Sequence, residues 1–315
     1  MKKLFKKFLQ VLAVGFIAVG LVACGGKKDK ESTADKDHLD VVSSFTILTD
    51  MVESIGGDYV KVHNVIPIGT DPHEYEPLPE DIKATTDADV IFAFGMNLEG
   101  GEKGWLGKLV KSVDKDYDKD VVIASDGIEP KYLHEEGERA VNPHAFISPK
   151  AGITIAKNIT KTLKEKLPKH AKAIEKQSKE YIAELEKIDK AYEEKIGAIP
   201  EEDRIFVASE RAFQYMTDAY GLKEGYIWQI DTEENGSPEQ IKQAIAFVND
   251  NHPRVLFVES NVDRRPMETV SKETGVEIFD RPIMSDEIGK KGEPGDTYVK
   301  YLENNLEIIV DGLTE

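Results

Sequence analysis

The sequence predicts an α/β protein of two (β/α) lobes, each with a mostly parallel four-stranded sheet, joined by one long backbone helix. Three observations carry that prediction. Between residues 41 and 124, short β-rich runs alternate with amphipathic stretches, and the same alternation returns between residues 204 and 313. Strands that alternate with helices form parallel sheets covered on both faces. Between the two regions runs a segment rich in Ala, Glu, Lys, Ile and Leu, with no glycine from Ala171 to Ile196.

The first lobe, 38–168, has predicted strands at 41–48, 60–67, 89–94 and 121–124, with helices at 48–55, 79–86 and 103–113. A helix at 149–166 leads into the linking segment, 169–197. There Ile174, Tyr181, Leu185, Ile188 and Tyr192 recur at spacings of three, four or seven residues, which makes one apolar stripe. At 1.5 Å per residue this helix spans roughly 40 Å. That length suits a stiff member lying along both lobes; an ordinary surface helix within one lobe is the alternative. The second lobe, 198–315, has predicted strands at 204–209, 226–230, 255–259 and 276–282, with helices at 212–220, 238–251, 267–274 and 297–313. Ser237-Pro238-Glu239-Gln240 and Arg265-Pro266-Met267-Glu268 are helix starts, with an early proline and acids in the first turn.

The N-terminus reads as an export signal. Lys2, Lys3, Lys6 and Lys7 precede an apolar run from Phe8 to Ala23, short for a membrane span of about 20 residues but suited to the core of a secretory signal. The run ends in Leu21-Val22-Ala23-Cys24, which resembles a bacterial lipobox. Residues 1–23 are then a cleaved lipoprotein signal peptide, and Cys24 is the lipidation site; an uncleaved anchor is the alternative. A lone cysteine forms no internal disulfide, so an anchoring role is economical, and multiple acyl chains hold a protein stably on a membrane surface. Residues 24–37 are polar and read as a flexible tether. Losing four lysines and no acids with the signal takes the formal charge from −18 to about −22. Nucleic-acid binding demands clustered Lys and Arg, so this acidity argues against it.

Candidate metal ligands come from distant parts of the chain. His73 and His144 occupy similar settings, Asp71-Pro72-His73 and Asn142-Pro143-His144; Glu210 ends the run Val207-Ala208-Ser209-Glu210, and Asp286 lies near the C-terminus. All four fall beyond the carboxyl ends of predicted strands. Open parallel sheets bind ligands at that edge, so two facing lobes would hold a cleft with two ligands from each. Taken singly, Glu210 could cap the helix near Ala212, and Asp286 could cap a turn before Gly289. His38, His63, His170 and His252 lack this placement and read as structural or solvent-exposed, while His134 sits in an acidic loop that could attract metal weakly.

The chain resembles the substrate-binding lipoproteins of manganese, zinc and iron ABC transporters (cluster A-I solute-binding proteins), most closely the manganese-binding surface adhesin type. The runs that carry the resemblance are Thr70-Asp71-Pro72-His73-Glu74-Tyr75-Glu76-Pro77, Asn142-Pro143-His144-Ala145-Phe146, Ala208-Ser209-Glu210-Arg211-Ala212-Phe213, Phe257-Val258-Glu259-Ser260, and Asp286 followed by Gly292-Glu293-Pro294-Gly295-Asp296. It implies two lobes joined by a backbone helix, with a metal cargo held by His73, His144, Glu210 and Asp286. It also implies a lipid-anchored monomer on the outer face of the bacterial cell membrane that delivers the metal to an ABC permease. Zinc-specific relatives generally carry histidine where Glu210 stands, so the implied cargo is Mn²⁺, with Zn²⁺ and Fe²⁺ as competitors. Relatives often carry a small residue where Arg211 stands, and a cation there could orient or compete for Glu210. Glu259 and Arg265 are candidates for tuning the site. Two other classes stay open on the residues alone: a metallohydrolase, although no separate base or Ser-His motif is evident, and a surface adhesin.

Overall fold

The computed structural model describes residues 36–133, 140–230 and 236–314. The signal peptide, Cys24, most of the tether and His134 lie outside the described residues. No helix among those described is long and apolar enough to cross a membrane.

The first sheet is parallel, with strands β1 (Leu39–Ser43), β2 (Val60–Asn64), β3 (Val90–Ala93) and β4 (Val121–Ile123) in the order β2-β1-β3-β4. Val42 pairs with His63 on one side and Ile91 on the other. Strand β1 ends sooner than the predicted 41–48, because helix α1 begins at Thr46 (Thr46–Gly56). Ile47, Leu48, Met51, Val52 and Ile55 are buried on one face of that helix, a spacing that a helix can bury and a strand cannot. Helices α2 (Pro79–Asp87), α3 (Trp105–Ser112) and the single turn α4 (Tyr117–Asp120) cover the sheet. His63 has a structural partner: its Nε2 lies 2.7 Å from buried Asp81, which also accepts from Tyr75 Oη at 3.0 Å.

Helices α5 (Pro149–Lys166) and α6 (Ala171–Gly197) follow. The second sheet has β5 (Ile205–Val207) parallel to β6 (Lys223–Gly225), with α7 (Gln214–Tyr220) between them. Segments near 256–260 and 278–283 extend this layer through single parallel bridges, Leu256 to Ile278 and Glu259 to Ile283. Phe257 N–H donates to Val207 O at 2.8 Å and joins them to β5. The four predicted strand segments of this half thus lie side by side, but only two carry a continuous ladder. The second also pairs earlier than predicted, at the polar Lys223–Gly225, where Gly225 lies so close to the Phe247 ring that a Cβ would sit 2.4 Å from it. Helix α8 (Pro238–Asn251) starts with the predicted cap: Ser237 N–H donates to Gln240 Oε1 at 2.8 Å, and Gln240 N–H returns to Ser237 Oγ at 3.4 Å. Helix α9 (Arg265–Thr274) lies against α8.

The long helix buries the stripe Ile174, Ser178, Tyr181, Leu185, Ile188, Tyr192 and Ile196. It packs on α1 and α5 from the first half and on α7 and α10 (Tyr298–Thr314) from the second, so it is not a surface helix of one half. Helix α10 also crosses between halves. Tyr298 donates its backbone N–H to Asp50 at 2.8 Å and its hydroxyl to Phe146 O at 2.6 Å, while Tyr192 donates to Leu302 O at 2.8 Å.

Candidate metal centre

Each half supplies a histidine loop or a carboxylate loop beyond its sheet. In the first half the two Asx-Pro-His runs fold alike. Asp71 Oδ1 accepts the His73 N–H at 2.7 Å, and Asn142 Oδ1 accepts the His144 N–H at 3.1 Å; this side-chain turn fixes the backbone at each histidine. Trp105 Nε1–H donates to Pro72 O at 3.0 Å and holds the first loop. In the second half, buried Glu259 accepts the Ser209 N–H at 3.1 Å and the Glu210 N–H at 2.8 Å, fixing the backbone that ends in Glu210. Asp286 Oδ2 accepts from Asn261 Nδ2 at 3.1 Å and Ser285 Oγ at 3.0 Å. Its other oxygen is left facing His144.

These loops converge. His144 Nε2 lies 3.2 Å from His73 Nε2, 3.3 Å from Asp286 Oδ1 and 3.6 Å from Glu210 Oε1. One ligand atom each from His73, His144 and Asp286 falls within 4.8 Å of the others. His144, Glu210 and Asp286 are buried, and His73 is half-buried. Asn142 Oδ1 accepts His144 Nδ1–H at 2.8 Å, so Nδ1 carries a proton and Nε2 is the nitrogen turned toward the other three groups. Burial pushes His73 below its ordinary value, and the facing His144 adds to this against the pull of Asp286. Burial alone would raise Asp286, but His144, His73 and the Asn261 hydrogen bond hold it below the ordinary value. Burial pushes Glu259 up to about 7 against its backbone hydrogen bonds. Two carboxylates, with both imidazoles in the neutral form that metal ligation requires, carry a formal charge that one divalent cation cancels; buried charge without such compensation is costly.

All four predicted ligands meet here, Glu210 joining through His144. Neither of the capping alternatives describes them: Glu210 makes no side-chain cap bond to the turn that follows it, and the Asp286 carboxylate bonds to Asn261 and Ser285. Arg211 turns from Glu210 to Glu224, 3.3 Å away, and lies over the Tyr226 ring. Of the two tuning candidates, Glu259 supports Glu210, whereas Arg265 is a surface residue paired with Asp263 and takes no part. Sequence reading did not single out Trp105, Asn142, Asn261 or Ser285. Only Asn142 carried a signal, standing before His144 as Asp71 stands before His73.

Comparison with known proteins identifies the family. The family described as the zinc-uptake complex component A, periplasmic, matches residues 41–312. An iron ABC transporter substrate-binding lipoprotein of Streptococcus pyogenes, MtsA, is 46% identical over 98% of this chain and 99% of its own. A manganese ABC transporter substrate-binding lipoprotein of Streptococcus mitis, PsaA, is 43% identical over the full length of both. The Mn-bound periplasmic metal-binding protein of Candidatus Liberibacter asiaticus superposes with a TM-score of 0.76 at 27% identity, covering 87% of this chain and 98% of that one. The family and both streptococcal relatives are named as uptake or transport components, so the metallohydrolase alternative falls. The chain belongs to this family and is an extracytoplasmic substrate-binding lipoprotein of a metal ABC transporter, not an enzyme.

Proposed function

We propose that the protein captures Mn²⁺ between its two lobes with His73, His144, Glu210 and Asp286, and hands it to the permease of its transporter. The observation that carries this reading is His144 Nε2, a buried nitrogen facing the other three groups at 3.2 to 3.6 Å. Two imidazoles with two carboxylates make a harder donor set than three imidazoles, which suits Mn²⁺ and accepts Fe²⁺. The manganese relative and the Mn-bound structure support the same choice. Zn²⁺ binds most nitrogen and oxygen sites more tightly than Mn²⁺, so selectivity rests on supply and release as well as on affinity. The same proposal has Cys24 as the lipidated residue, a monomer as the working unit, and lobes at 38–168 and 198–315 about the helix of 169–197.

The test is Mn²⁺ stoichiometry by calorimetry for the wild type and for alanine variants of each ligand, with elemental analysis of protein taken from its native cell surface without added metal. One Mn²⁺ per chain, lost in each variant, is expected. Iron or zinc as the native metal overturns the choice of manganese and leaves the ligands standing. Full binding in the variants overturns the ligands.

A further inference from the structure

The twin motifs Asp71-Pro72-His73 and Asn142-Pro143-His144 differ at their first residue, and the structure gives that difference a use. Asp71 is exposed and accepts the His73 N–H. Asn142 is fully buried and uses every hydrogen-bonding position of its amide. Its oxygen accepts the His144 N–H at 3.1 Å and the His144 Nδ1–H at 2.8 Å. Its nitrogen donates to Arg211 O at 2.9 Å and to Gln214 Oε1 at 3.1 Å. Those acceptors belong to the opposite half: Arg211 follows Glu210 in the chain, and Gln214 begins α7. Tyr215 next to it donates to Asn142 O at 3.0 Å.

We propose that Asn142 is a positioning residue that couples the orientation of His144 to the closed arrangement of the two halves. One planar amide holds the histidine in the tautomer a metal needs and grips the backbone beside Glu210. Separation of the halves removes the two acceptors of the Nδ2 protons, so the amide that orients His144 loses its other anchor. Retention of metal and contact between halves then rise and fall together. Aspartate would still accept from the His144 ring, a contact that Asp71 does not make to His73, but a carboxylate has no proton to give Arg211 O or Gln214. The proposal rests on the reading of His144 and Glu210 as ligands.

The test uses full-length Asn142→Asp. The carboxylate still accepts Nδ1–H, so long-range ¹H–¹⁵N spectra of the metal-free protein should report the His144 Nδ1–H tautomer. Mn²⁺ release into excess chelator should nevertheless quicken by about tenfold or more, the scale on which partners of metal ligands act. A purely structural role would not separate these two readouts. Gln214→Met provides a second variant should Asn142→Asp not fold: it leaves Asn142 and His144 intact, removes one cross-cleft acceptor, and should speed release with the tautomer unchanged. Wild-type release from a folded Asn142→Asp, or from Gln214→Met, overturns this proposal alone. Undiminished Mn²⁺ binding by His144→Ala overturns the ligand reading and this proposal with it.

Discussion

Trp105 donates its indole N–H to the carbonyl of Pro72 at 3.0 Å, so helix α3 holds the peptide immediately before His73. The same ring meets Tyr75 edge-on at 5.5 Å, which braces the loop on both sides of the histidine. Trp105→Phe preserves most of the packing and removes the hydrogen bond, worth roughly 0.5–1.5 kcal/mol. Mn²⁺ affinity should fall about two- to tenfold, with little change in melting temperature. An unaltered Kd by calorimetry would mean that the loop holds itself.

Glu210→His replaces a hard oxygen donor by a third imidazole. Glu210 is fully buried and its backbone is clamped by Glu259, so the new ring occupies the same corner of the site. Competition titrations should show the Zn²⁺/Mn²⁺ affinity ratio rising about tenfold or more. A ratio equal to that of the wild type would sink the selectivity argument.

Protons compete with metal for the imidazoles, so Mn²⁺ affinity should decline as pH falls. Burial and His144 hold His73 below its ordinary value. This weakens proton competition at that ring, and the decline should set in below about pH 6.5, where a free histidine titrates. Calorimetric Kd values at pH 7.5, 6.5 and 5.0 trace the curve. Undiminished affinity at pH 5.0 is incompatible with imidazole ligation.

Asp50 offers a pH test away from the metal. Burial raises its carboxyl to about 6, Glu53 and Asp296 add to the rise, and the Tyr298 N–H and Lys300 oppose it. The folded value lies above the unfolded one of about 3.9. Protonation therefore favours the fold: the contribution is fully present below about pH 3.9 and is lost as pH rises through about 6. Asp50→Asn keeps an oxygen for the Tyr298 N–H and removes the titration. Urea unfolding of the metal-free variant should show a flatter pH dependence between about 4 and 6 and a gain of about 1–3 kcal/mol at pH 7. A wild-type slope would show that Asp50 does not titrate there.

Much of this architecture is legible in the sequence where the deciding chemistry is local. Helix α8 begins at Pro238 because Ser237 and Gln240 cap each other within one turn, and the long helix announces itself by the stripe from Ile174 to Tyr192. The second sheet is less legible. Lys223-Glu224-Gly225 has no strand pattern of its own; it pairs because β5 lies beside it and Phe247 needs a residue without a side chain. The ligands follow the same division. His73 and His144 stand out through a repeated tripeptide, and Glu210 through its place at a strand end. Asn261 carries no pattern linking it to Asp286, 25 residues away, because only the fold brings them together. Arg265 misled through its charge at a helix start, where it pairs with its neighbour Asp263.

The crossing of α10 has a consequence for how the protein is made. Tyr298 supplies partners to Asp50 and Phe146, so packing in the first half is completed by residues synthesised some 150 to 250 positions later. Until that helix emerges, helix α1 and the Phe146 segment lack these ties. An exported polypeptide must thread its channel unfolded, and a fold that waits for its final helix stays threadable for as long as translation continues.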